Sequence, residues 1–301
     1  MSVVEQPISS EKIHSKEQKS FIQKSDEVID SLRRNKNLFE LKKSGLSTKD
    51  AIETTALDIA ASEGLGYTDS EKNILGVIGH LGSFVIGQKR ASEISVQREN
   101  SYLNQEVRKE LRELKVNTLI PFNHAIKELI NTDSSLSKDV LDANLTRLYM
   151  RLFSSDDPLV VKATERGSLD QSVLGVVSRD ALQQISVATN GMRHEIAAET
   201  ILTAAGYSYD YNVNTNEDAQ GADLFVYLES GWTHIDIKAS EASANKALLS
   251  HRNSHAVWTG LNPSKFDGAK GDQSNALRVS FDTALESADG FIQRIYDVSQ
   301  R

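Results

Sequence analysis

The chain has 301 residues, enough for two hydrophobic cores, and a formal charge of −8 from 34 basic and 42 acidic side chains. It contains no cysteine, which excludes disulfides, thiolate metal sites and cysteine nucleophiles. The stretch from Met1 to Pro7 has neither a basic flank nor an apolar segment of the secretory kind, so a soluble, intracellular, cytoplasmic protein is expected, with no membrane partner.

Residues 11–43 read as one or two polar helices. Within them Arg33-Arg34-Asn35-Lys36, followed by Lys42-Lys43, is the densest basic cluster; a solvated helix face suits it, and so does a DNA-contacting helix. Ser47 to Ala61 is a further helix. The mostly apolar run Ile74 to Ile86, with Gly76, Gly79, Gly82 and Gly87 in and beside it, lacks the Gly-Lys-Ser/Thr of a phosphate loop and the Gly-X-Gly of a dinucleotide fold. It is also shorter than the roughly 20 residues that span a bilayer, so close helix packing through small residues is expected. Leu103, Val107, Leu111 and Leu114 recur at helical spacing in a charged stretch, a stripe that could also pair two copies of the chain. Leu141, Leu145, Leu148 and Leu152 repeat the pattern behind a Ser137 cap, and Ser154 to Pro158 stops it. The boundary is placed near 160, giving a helical domain over 1–160 for DNA or partner binding or dimerisation and a second domain over 161–301, with Val173 to Val187 open to assignment to that second layer.

Asn190-Gly191 reads as a break, followed by a helix from Met192 to Ala205 that ends at Gly206, where a left-handed cap is natural. Glu195 and Glu199 share one face of it. Tyr207 to Val213 alternates like a half-buried strand. Leu224 to Leu228, the turn signal Glu229-Ser230-Gly231, and Trp232 to Lys238 then read as a β-hairpin. With the turn centred near Ser230, Asp223 falls opposite Ile237 and diagonal to Asp236 and Lys238. Period two puts Asp236 and Lys238 on one face, Ile235 and Ile237 on the other. Ser240 to Ser250 reads as a helix, His255 to Gly260 and Ala276 to Phe281 as strands, and Ala284 to Val298 as a closing helix. The loop Pro263 to Asp272 is long enough to reach a bound strand.

The set formed by Glu195 eleven residues before Gly206-Tyr207, Gly221-Ala222-Asp223, and His234-Ile235-Asp236-Ile237-Lys238-Ala239-Ser240 resembles the PD-(D/E)XK nuclease superfamily, in spacing its Holliday-junction-resolvase branch. Ala222 stands where the superfamily has its eponymous proline. The resemblance spans about residues 192–279. It implies an α/β (α+β) fold, a restriction-endonuclease-like mixed sheet flanked by helices behind the helical N-terminal domain, and an endonuclease that hydrolyses phosphodiester bonds, DNA before RNA. Asp223, Asp236 and the Ile237 carbonyl would ligate Mg²⁺ or Mn²⁺, with Glu195 acting through water. Lys238 would orient the attacking water or stabilise charge on the phosphorus centre, making Glu195, Asp223, Asp236 and Lys238 the catalytic set. Spacing to the helix end favours Glu195 over Glu199, which would support from outside the ligand shell. His194 and His234 are expected as structural histidines, although His234 shares the strand parity of Asp236.

Ser240, Lys246 and Arg252 are candidate phosphate contacts. Residues 171–301 hold 10 basic and 16 acidic side chains, a net −6, which is awkward for a nucleic-acid enzyme and implies weak, transient substrate binding or help from the N-terminal helices or a protein partner. A nuclease fold that works as a scaffold through those helices is the alternative from another class.

Overall fold

The computed structural model of the protein describes residues 10–97, 105–133, 136–211, 222–250, 255–262, 265–266 and 275–300. The chain is mostly helical with a small four-stranded mixed sheet. Gly221, Arg252, Leu103, the end of the Tyr207 to Val213 segment and most of the Pro263 to Asp272 loop lie outside the described residues.

The first half is a helical assembly. Helices α1 (Ser10–Arg34) and α2 (Lys36–Lys43) are the two polar helices expected, and each turns an apolar side inward, where Phe21, Val28, Ile29, Leu32 and Leu38 are buried in the core. Helix α3 (Thr48–Ala61) starts at Ser47, whose hydroxyl accepts the Asp50 N–H at 3.1 Å. Helix α4 (Asp69–Gln97) carries the glycine series. A Cβ at Gly79 would lie 2.5 Å from Leu57, one at Gly82 would lie 2.7 Å from Phe153, and one at Gly87 would lie 2.8 Å from Thr118, so at these three positions glycine permits close helix approach. Gly76 has no such contact.

Helix α5 (Gln105–Leu114) continues through a single wide π turn, Lys115–Leu119, into α6 (Ile120–Thr132). Pro121 lies just beyond that turn and has no N–H to give the usual helical bond, which accounts for the local widening. Phe84 and Phe122 stack at 4.0 Å between α4 and α6. Helix α7 (Lys138–Leu152) buries all four leucines of its stripe. A short 3₁₀ turn, Ser154–Asp156, leads into α8 (Pro158–Glu165), which Asp157 caps through the Leu159 N–H at 3.0 Å.

Helix α9 (Gln171–Ala204) spans 34 residues and corrects two expectations. Asn190-Gly191 does not break it. A glycine in a helix interior costs only about 1 kcal/mol relative to alanine, and Ile185, Ala188, Met192 and Ile196 are buried on either side of the pair, so packing overrides the local weakness. Nor does the change of core fall near 160. Val177 to Ile196 belong to the helical core, whereas Ala197, Ala198, Ile201 and Leu202 belong to a second core with the sheet, so the two meet inside α9. The helix ends as expected: Gly206 has φ +75°, its N–H bonds the Thr203 carbonyl, and the Tyr207 N–H bonds Leu202.

Strands β1 (Tyr209–Asp210), β2 (Leu224–Leu228), β3 (Gly231–Lys238) and β4 (Ala256–Trp258) pair in sequence order, antiparallel except for β3 with β4. The hairpin turn is shorter than expected: Leu228 pairs with Gly231, which takes φ +105°. Leu224 pairs with Ile235, a register one residue away from the expected one. Leu224, Val226, Ile235 and Ile237 fill the second core beneath α9 and α11 (Phe281–Ser299), and α10 (Glu241–Ser250) packs beside β4. The Ala276 to Phe281 segment is not a strand. Ala276 forms one isolated bridge to Ser137, and Ser280 caps α11 through the Thr283 N–H. Among the described residues no helix is long and apolar enough to cross a membrane.

Two substitutions test this packing. An added Cβ at Gly191 meets nothing within 4 Å, so Gly191→Ala should stabilise the protein by about 1 kcal/mol in urea unfolding. Asp157 is fully buried, pairs with Lys89 at 2.7 Å and accepts the Tyr149 hydroxyl at 2.7 Å. Burial and that carboxylate push the Tyr149 pKa upward, which keeps the hydroxyl a donor. Asp157→Ala leaves Lys89 and Tyr149 without this partner and should lower unfolding free energy by about 3–5 kcal/mol in the same experiment.

Candidate active site

The short hairpin turn decides the geometry. The strand register ends with Leu224 opposite Ile235, and Asp223, one residue before it, donates its N–H to the Ile235 carbonyl at 2.8 Å. Asp223 and Asp236 line one cleft and lie close enough for the Asp236 carboxylate to raise the Asp223 pKa. Lys238 lies two residues along the same face and forms an ion pair with Asp236 Oδ1. Asp223 Oδ2 accepts the Ile237 N–H at 2.5 Å.

Glu195 reaches the same cleft from α9, so a helix and two strands bring together the four expected residues. Glu199 is turned away into an ion pair with Lys127 of α6. That pairing distinguishes the two glutamates in position: Glu195 lines the cleft and Glu199 ties α9 to the helical half.

Asp236 is 5 % exposed and Lys238 is half-buried. Burial, followed by the Glu195 and Asp236 carboxylates, pushes the Asp223 carboxyl well above its ordinary value, against the lowering effects of Lys238 and the Ile237 N–H. Lys238 loses stabilisation through burial, but Asp236, Asp223 and Glu195 outweigh this and raise its pKa, so it stays an ammonium. This end of the cleft thus concentrates negative charge around Lys238.

Two carboxylates and a backbone carbonyl are hard oxygen donors, the type Mg²⁺ and Mn²⁺ take. Among the described residues no three His, Asp or Glu side chains converge as a ready ligand set. Asp236 Oδ2 and Asp223 Oδ1 are the oxygens outside the bonds just described. The residues fit a divalent cation in donor type, and the excess of carboxylate over ammonium suits one electrostatically.

The cleft has a volume of about 1130 Å³ and extends well beyond these four residues. Four further cationic side chains line it: Lys115 from the π turn, Lys138 from α7, and Arg179 and Arg193 from α9. With Lys238 they face Asp139, Glu195, Asp223 and Asp236, so the cleft is not acidic although the chain is. The sequence carried a signal for this lining. Arg179, Gln183, Ser186, Asn190 and Arg193 follow a 4-3-4-3 spacing that places them on one helix face, but only when α9 is continuous.

The remaining expected residues fall elsewhere. Ser240 caps α10, its Oγ accepting the Ser243 N–H at 3.2 Å. Lys246 is exposed outside the cleft lining, as are Arg33, Arg34 and Lys36 at the α1–α2 junction. His194 is a buried structural histidine with Nδ1 3.3 Å from Thr259 Oγ1 and its ring edge-on to Phe266; burial and Arg193 lower its pKa to about 4. His234 stacks against His255 at 4.5 Å, and His255 Nδ1 donates to the His234 carbonyl at 3.0 Å.

No family model matches the chain, and no curated protein or solved structure is significantly similar to it.

Asp223 offers a pH test of this electrostatic arrangement. Its folded-state pKa lies above the ordinary 3.8, so its stabilising effect is complete below that value and is lost as pH rises through the raised folded pKa. In EDTA, melting temperature should therefore fall across that window in the wild type. Asp223→Asn should flatten the fall and melt higher than the wild type at neutral pH; a variant that melts lower there would refute the arrangement.

Proposed function

We propose that the protein is a metal-dependent endonuclease that hydrolyses phosphodiester bonds, with DNA as its substrate. The observation that carries this reading is the meeting of Glu195, Asp223, Asp236 and Lys238 on one cleft, from a helix and a β-hairpin. Lys238 is held as an ammonium by the carboxylates around it. The small sheet with α9 on one side and α10 beside β4 is compatible with the restriction-endonuclease-like core of the PD-(D/E)XK superfamily, to which the sequence motif is similar.

In this reading Asp223, Asp236 and the Ile237 carbonyl hold Mg²⁺ or Mn²⁺, and Glu195 adds a carboxylate through water. The bound ion supplies Lewis-acid polarisation of the phosphate and a lowered pKa for water. The chain's own contribution is positional. The Ile237 N–H fixes the Asp223 carboxylate, and the β3 pleat keeps Asp236 and Lys238 on the same face. Lys238 donates its protons either to Asp236, as here, or to a phosphate oxygen, where it offsets the negative charge that grows as the P–O bond breaks. Its partial exposure gives it room to make that exchange. Ser240, as the α10 cap, fixes the strand-to-helix junction two residues after Lys238.

Supercoiled plasmid, linear duplex, single-stranded DNA, four-way junction and RNA, incubated with Mg²⁺, Mn²⁺ or EDTA, test the reading directly. Cutting should require the metal. Asp236→Ala and Lys238→Ala should each lower it by at least about 10²-fold while leaving the circular dichroism spectrum unchanged. Wild-type rates in either variant would remove the site assignment. Absence of cutting by folded wild-type protein would favour a scaffold acting through the N-terminal helices.

A further inference from the structure

We infer that the helical half grips the nucleic-acid strand: Arg179 on α9, with Lys115 on the π turn, forms a track for the phosphodiester backbone that leads into Lys238 and the carboxylates. The inference rests on the reading of the cleft as a phosphodiesterase site and extends it to the residues that bind substrate.

Three observations carry it. The first is charge. The chain is acidic overall, yet cationic groups from separate elements converge on this one cleft, and a negative ligand is what such convergence serves. Lys138 and Arg193 are left out of the track because both are buried: Lys138 bonds Asp142 and Ser186 Oγ, the latter at 2.6 Å, and the Arg193 guanidinium lies over the Phe266 ring at 4.4 Å.

The second is periodicity. The polar stripe from Arg179 to Asn190 spans about 17 Å of helix at 1.5 Å per residue. That length can follow several consecutive phosphates of one strand. Gln183 and Asn190 supply hydrogen-bonding groups along it. The stripe runs towards Glu195, which follows it on the same helix.

The third is the shape and chemistry of the floor. Gly191 lines the cleft with open space around its Cα, and no packing contact requires a glycine there. Its missing side chain leaves room for a close approach by a ligand. Among the described residues that line the cleft none is aromatic, so no platform for stacking bases is present. The track therefore holds sugar and phosphate and reads no base sequence.

The test is binding without catalysis. Fluorescence anisotropy of labelled single-stranded and duplex DNA oligonucleotides is followed in EDTA over a salt series, for the wild type, Lys115→Gln/Arg179→Ala, Gly191→Glu, and Arg33→Ala/Arg34→Ala as a charge-matched control outside the cleft. The first pair should weaken binding equally for all base sequences and reduce the slope of log K against log salt by about 1 per residue removed. Gly191→Glu puts a carboxylate into the cleft without a packing conflict and should also weaken binding. The control should keep the wild-type slope.

An unchanged slope in the first pair, or an equal loss in the control, would overturn the track. The wild-type slope also distinguishes the strand forms, since each phosphate contact contributes about 0.9 for duplex and about 0.7 for single strands. Failure of the two inferences is separable: a protein that binds along this track but never cleaves keeps the track and loses the nuclease reading, whereas one that cleaves while its cleft variants bind normally does the reverse.

Discussion

Helix α9 is the element on which the remaining structure depends. Its first part is buried among α7, α8 and the helical core, and its last two turns are buried under the sheet. Because one helix enters both cores, the halves cannot be separated by cutting a linker near residue 160. Smaller ties act along the same seam: Lys127 with Glu199, Arg278 Nη2 with the Ile130 carbonyl at 3.1 Å, and the bridge between Ser137 and Ala276. A helix of this length is rigid, so the position of Arg179 is mechanically linked to that of Glu195. The cleft lies along that rigid edge, which is why one of its walls comes from residues more than fifty positions before the hairpin.

Electrostatics at the cleft show how a protein of charge −8 can still gather cationic side chains in one place. Three carboxylates sit near one another in a partly dry place, and burial, followed by repulsion from Glu195 and Asp236, raises the pKa of Asp223. Lys238 offsets part of that repulsion, and an added cation would offset more. Further along the cleft the balance reverses through Lys115 and Arg179. Net charge averages over these regions and therefore says little about either. The −6 of residues 171–301 is a property of exposed surfaces elsewhere as much as of the site.

The hairpin illustrates how small a structural difference governs chemistry. A turn centred on Ser230 and one closed by the Leu228–Gly231 pair differ by one residue of register. In a pleated strand one residue is the difference between two faces. The expected register would have set Asp223 opposite Ile237; the observed one ends with Leu224 opposite Ile235, and Asp223, just before it, accepts the Ile237 N–H with its carboxylate. Gly231 makes the observed turn possible by accepting a positive φ that other residues resist.

By itself the sequence determined those features that arise from short-range physics. The Leu141 to Leu152 stripe, the Gly206 cap, the two hairpin strands and the parity of Asp236 with Lys238 all follow from periodicity and local backbone preference, and all were legible before any fold was known. The motif Glu195, Asp223, Asp236-X-Lys238 was legible for the same reason, since its members lie within one helix and one hairpin. Tertiary structure decided what local preference could not. It kept α9 continuous through Asn190-Gly191 by burying Ile185, Ala188, Met192 and Ile196, turned Glu199 to Lys127 while leaving Glu195 in the cleft, and brought Lys115 to the same wall as Arg179. Each of these depends on contacts between residues far apart in the chain, where burial energy outweighs the modest local cost of a glycine or a misplaced polar side chain.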